Sequence, residues 1–101
     1  METYPSICIP RANIIESCEV KTILEKLFGN ATINRVDIVP CKNVPEYCKI
    51  FVHMNYWPQD KTNVNKLRNA LVNGHCINVV YLKRDINWKC FMSRLPKPKL
   101  K

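Results

Sequence analysis

Glycine is almost missing from this 101-residue chain, which has only Gly29 and Gly74. Loops that fold a backbone around a phosphate need several glycines, so the phosphate-cradling motifs of nucleotide-hydrolysing and dinucleotide-binding enzymes are excluded. Histidine is as scarce, with two residues, and the eight acids are scattered without a pair. No acid–base or nucleophilic constellation is readable from that inventory, so the chain is expected to be no enzyme and to use no cofactor or small-molecule substrate. Metal-ligand spacings such as CxxC and HxxxH do not occur. His75 and Cys76 are adjacent, which on a strand turns them to opposite faces, a poor geometry for one metal ion. No run approaches the roughly 18 to 20 apolar residues that span a bilayer. The N-terminal METYPSICIPRAN has an acid and a proline where an export signal would have cations and an apolar core. An intracellular, soluble protein with no membrane partner is the expectation.

What the chain does have is positive charge. Sixteen Lys and Arg against eight Asp and Glu give a net charge of +8. From Lys83 onward there are seven cations (Lys83, Arg84, Lys89, Arg94, Lys97, Lys99, Lys101) and one acid, Asp85. Such polarity suits an anionic partner, nucleic acid before an acidic protein or membrane surface. Cysteine is also plentiful, with six residues, mostly inside apolar periodic segments where a thiol behaves as a small buried hydrophobe. The hydrophobic fraction of 47% is that of a folded chain, and the length suits one domain. That domain is expected over residues 1–95, with residues 96–101 as a basic flexible tail.

Periodicity gives the element order. SICIPRA (6–12) reads as a strand with Ile7 and Ile9 on one face and Cys8 on the other, ended by Pro10. Ser17 is a candidate cap for a helix with apolar positions Val20, Ile23, Leu24, Leu27 and Phe28, stopped at Gly29-Asn30. TINRVDIV (32–39) is a second strand, with Val36 and Ile38 inward. The third runs from about Tyr47 to Tyr56. A second helix begins near Thr62, with Val64, Leu67, Ala70 and Leu71 on one face and Asn73-Gly74 as its stop. CINVVYL (76–82) is the fourth strand. The order β-α-β-β-α-β predicts an α+β, ferredoxin-like sandwich: two helices on one face of a four-stranded antiparallel sheet, with the first and third strands central. NWKCFMSR (87–94) alternates Trp88, Cys90 and Met92 against Lys89, Phe91 and Ser93, so it is either an added edge strand or a segment lying on the domain.

The third strand carries the candidate site. Lys49, Phe51 and His53 alternate on the face away from the helices. Cys8 from the first strand, Arg35, Asp37 and Val39 from the second, and Asn78 and Val80 from the fourth share that face. One ring among cations and hydrogen-bonding groups is a chemically sensible base-stacking surface. Trp88, Lys89, Phe91 and Arg94 interleave rings with cations in the same way. The competing expectation is that Trp88 or Phe91 folds back and buries Phe51 in a second small core. His53 by itself reads as a solvated strand residue, and Tyr56 and Trp57 as core-closing residues.

A β-α-β-β-α-β chain with an aromatic on its third strand resembles the RNA recognition motif (RRM) family, over residues 6–82. The resemblance implies an aromatic on the first strand and two on the third; those positions fall here on Cys8, Lys49 and Phe51, so one ring of three is present. The phrases S-I-C-I-P-R, R-V-D-I-V, I-F-V-H-M-N-Y-W and W-K-C-F look more like the small single RRM-like proteins encoded by large DNA viruses of eukaryotes. What this implies is single-stranded RNA binding, and DNA binding less specifically, through Lys49, Phe51, His53, Arg35, Cys8 and Asn78, with phosphates on Lys83, Arg84, Lys89, Arg94 and beside Phe91. It also implies action inside the host cell or in the virus particle. The alternative is a structural or protein-interaction module, a virion component that assembles with itself or a protein partner and has lost base stacking.

Overall fold

Apolar residues recur at helical spacing twice and at strand spacing five times, and the chain folds accordingly. The computed structural model describes residues 3–81, 83 and 85–93. Its elements are β1 (Ile7–Asn13), α1 (Ser17–Phe28), β2 (Ile33–Pro40), β3 (Tyr47–Met54), α2 (Thr62–Val72), β4 (Ile77–Tyr81) and β5 (Ile86–Met92). The five strands form one antiparallel sheet in the order β2-β3-β1-β5-β4, and both helices add buried side chains to a single core. This is an α+β architecture compatible with a ferredoxin-like fold. None of the described helices is long and apolar enough to cross a membrane.

Four local expectations are corrected. Pro10 does not end the first strand. β1 continues to Asn13 through a bulge, because Ile9 pairs with Ile50 but the next pair is Ala12 with Cys48. A bulge tolerates a proline because its extra residue owes no ladder hydrogen bond. Ser17 is the first helical residue rather than the cap. Glu16 takes the cap position with no side-chain bond, its carbonyl accepting from the amides of Glu19 and Val20 at 3.1 and 3.2 Å. β3 stops at Met54, so Tyr56 and Trp57 leave the sheet.

The fourth correction matters most. The segment expected at the edge or draped over the domain is an interior strand. β5 pairs with β4 along Ile77–Tyr81 and with β1 at Ile7–Met92 and Cys8–Phe91, which moves β4 to the edge. Ile86, Trp88 and Cys90 are all buried on its helix side, more apolar surface than an edge strand usually carries. β4 and β5 are also hairpin neighbours, closed by a short turn in which Asp85 takes a left-handed φ of 54°. Such local pairing closes with little entropy loss and carries the second strand to β1 as a unit.

Across the helix-facing side, Val36, Val52, Ile7 and Met92 form one row and Ile38, Ile50 and Ile9 the next. Trp57, 2% exposed, closes one end of this core: its ring meets Phe28 edge-on with centroids 5.1 Å apart, and its Nε1 donates to the Pro5 carbonyl at 3.0 Å. Arg68 Nε donates to the Tyr4 carbonyl at 2.9 Å, so two side chains fasten the segment before β1. α1 ends at Gly29, whose φ of 128° and ψ of 161° belong to a region open essentially to glycine alone. Trp57→Ala is expected to cost about 3–5 kcal/mol, from ring burial and the lost bond to Pro5. Urea denaturation of the variant checks this; a loss below 1 kcal/mol would mean the indole is not a core residue.

Candidate nucleic-acid interface

Strand register brings the site residues into rows on the sheet face opposite the helices. Asp37 pairs with Phe51, Phe51 with Cys8, and Cys8 with Phe91. Phe51 and Phe91 therefore flank Cys8 from either side, two strand spacings or about 10 Å apart. Phe91 is 38% exposed and Phe51 half-buried, so both rings are reachable. Trp88 does not cover Phe51; it lies on the helix side, buried in the main core. Phe91 stands beside Cys8 instead of folding over Phe51. Two residues further along the ladders, on the same face, the exposed Lys49 pairs with Val39, and the exposed Lys89 pairs with Asn78.

The row on the other side of the phenylalanines is closed. His53, expected to be solvated, is 3% exposed. Its Nδ1 lies 3.1 Å from the Ser6 hydroxyl and its Nε2 3.3 Å from Asp37 Oδ2. A neutral imidazole satisfies both contacts when Nε2–H donates to Asp37 and Nδ1 accepts from Ser6. Asp37 Oδ1 accepts in turn from Arg35 Nε at 2.6 Å. Register sets this chain up, since Arg35 pairs with His53, and Asp37 lies two residues along the same strand. Arg35 remains about half exposed while its charge is opposed by Asp37. His53 is thus a support beneath the face, not a contact on it.

The remaining expected residues divide by position. Asn78 is exposed beside Lys89 on the edge hairpin. Lys83 is exposed in the β4–β5 turn, roughly 17 Å along the strand from Phe91, outside the rows. Arg84, Arg94 and the tail over 96–101 lie outside the described residues. Among the described residues, no group of three His, Cys, Asp or Glu side chains could hold a metal ion.

Two features went unread in the sequence. The Ser6–His53–Asp37 chain had a partial signal, because strand alternation already sets Asp37 and His53 on one face. The second is the Arg11 guanidinium over the Tyr47 ring, 4.0 Å from its centroid. Its signal was the proline inside β1, which marks the bulge that turns Arg11 outward.

All six thiols are free. Burial pushes the Cys8 thiol above its ordinary pKa, against the opposing pull of Lys49. Burial, with neighbouring thiols adding, pushes Cys90 up to about 12. Because the thiolate is the reacting species, both should be slow towards thiol reagents at pH 8. Cys18 and Cys76 are exposed and should react first, Cys8 later, and Cys90 only on unfolding. Mass-spectrometric mapping of timed alkylation reads that order, and Cys90 modified in the first phase would contradict it.

No family model matches the chain, and searches of curated proteins and of solved structures find no match.

Proposed function

We propose that this is an RRM-like protein that binds single-stranded RNA across the open sheet face, and single-stranded DNA less tightly. The observation that carries the reading is the pair of reachable rings, Phe51 and Phe91, on either side of Cys8 in one row. A first-strand ring is replaced by a thiol, and a ring from the neighbouring strand stands one position over. Base–aromatic stacking contributes roughly 1–3 kcal/mol per base without demanding a particular base. Lys49 and Lys89 are exposed alongside, and Arg35 is half exposed, where phosphates linking stacked bases would pass. The virus-encoded setting rests on the phrases of the sequence given above.

A second reading has its own support. Val39 and Val80, 47% and 57% exposed, stand on the same face at its two margins. Apolar side chains there suit a protein surface, a virion neighbour or a second copy, better than a phosphate backbone. Purified protein that carries no nucleic acid by its absorbance ratio, and elutes as an oligomer that hides Phe51, would favour this reading.

The direct test is fluorescence anisotropy with a labelled, unstructured ten-nucleotide RNA. With about three phosphates neutralised, log Kobs should fall against log salt with a slope of about −2. Phe51→Ala and Phe91→Ala should each weaken binding roughly 5- to 150-fold. No binding at 20 mM salt, or full affinity in both variants, overturns the proposal.

A further inference from the structure

β1 and β5 are neighbours in the sheet, yet they pair only at Ile7–Met92 and Cys8–Phe91. Beyond Cys8 the two strands part. The cause lies in β1, where Pro10 and Arg11 form the bulge. Proline offers no amide hydrogen to a neighbouring strand, and a bulge bends its strand and sharpens the local twist. Continued register would have set Pro10 opposite Lys89. A cleft of about 530 Å³ opens there instead, lined from both strands and closed at one end by Phe91.

The lining has a directional chemistry. Ala12, Ile15, Ile86 and Trp88 give it an apolar floor, with Trp88 and Ile86 part of the main core. Arg11, whose guanidinium carbon lies over the Tyr47 ring, and Lys89 bring two exposed cations. Asp85, an acceptor, stands at the hairpin-turn end of β5, away from Phe91. Asn13 and Asn87 add hydrogen-bonding groups, as do the strand edges that face each other unpaired. The volume is in the range of small-ligand pockets, and a mostly apolar floor with a few convergent polar groups is their usual make-up.

We propose that this cleft is a mononucleotide site: a base lies on the apolar floor, its phosphate meets Arg11 and Lys89, and its ribose hydroxyls face Asp85. Phe91 belongs both to the cleft and to the row with Cys8 and Phe51. A strand stacked on that row would therefore run its terminal nucleotide into the cleft, and that occupant rests on the strand-binding reading. An extended peptide is the other candidate for two bare strand edges. The edges diverge from a closed point, so an inserted peptide pairs with both only near Phe91, and two cations against one acid favour a phosphate.

The test is amide chemical-shift titration of the full chain with AMP, with adenosine, inorganic phosphate and hexaglutamate as parallel probes. The expected result is saturable movement of the Ala12, Asn87 and Lys89 amides with AMP, and at least tenfold weaker response to adenosine or phosphate alone. Arg11→Gln, an exposed site whose change leaves the core untouched, should weaken AMP about two- to fivefold. Phosphate acting as well as AMP would reduce the cleft to an anion site, and hexaglutamate acting as well would make it a peptide groove; either overturns the proposal. If the ten-nucleotide RNA binds while AMP leaves these amides unmoved, the cleft proposal fails and the sheet-face reading survives. If AMP binds and the RNA does not, the cleft stands and the sheet-face reading fails.

Discussion

Two residue pairs, Ile7–Met92 and Cys8–Phe91, continued by the Ser93 amide donating to the Ser6 carbonyl at 2.8 Å, hold the last strand against the first, and the rest of the proposed binding surface depends on them. Below the sheet they join Trp88, Cys90 and Met92 to the core that the helices cover. Above it they bring Phe91 next to Cys8 and so add a second ring to a face that the third strand alone would leave with one. The contact is short because Pro10 cannot extend it. One proline thereby limits the pairing that completes the platform and opens the cleft beside it.

The electrostatics of the face follow from the same geometry. Eight surplus positive charges would make a diffuse attractive field on almost any fold. Here the one acid among the described residues of the face rows, Asp37, is held by Arg35 and the buried His53. Among the described residues, the fully exposed cations around the two rings are Lys49 on one side and Lys89 on the other, with Arg35 half exposed beside Asp37. Burying His53 between a hydroxyl and a carboxylate fixes its ring orientation and adds a side-chain tie between β2 and β3 to their backbone pairing. A stiff, flat support lowers the ordering cost of binding a flexible strand.

Much of the fold was legible in the chain, because helical and strand periodicities do not overlap here. Val20, Ile23, Leu24 and Phe28 could only be one face of a helix, and all four are buried. Ile50 and Val52 alternate so cleanly that the outward Lys49 and Phe51 followed. Strand order was less legible, since alternation in residues 87–94 shows a strand but not its neighbours. The choice between edge and interior was made by hairpin closure with β4 and by the apolar weight of Trp88 and Cys90, which are tertiary effects. His53 was misread for a related reason. Alternation gives the direction of a side chain, and burial depends on what the segment before β1, with Ser6, packs against it. The cleft had a single trace in the sequence, a proline inside a strand, and that trace is equally consistent with a strand end.

Ultraviolet cross-linking of a uridine-rich single strand, followed by mass-spectrometric location of the adducts, tests the central claim most directly, because it reads which side chains touch bases. Adducts are predicted on the peptides containing Cys8, Phe51 and Phe91, lost in competition with unlabelled strand. Adducts confined to α1 or α2, or none on a protein that otherwise binds, would contradict the account.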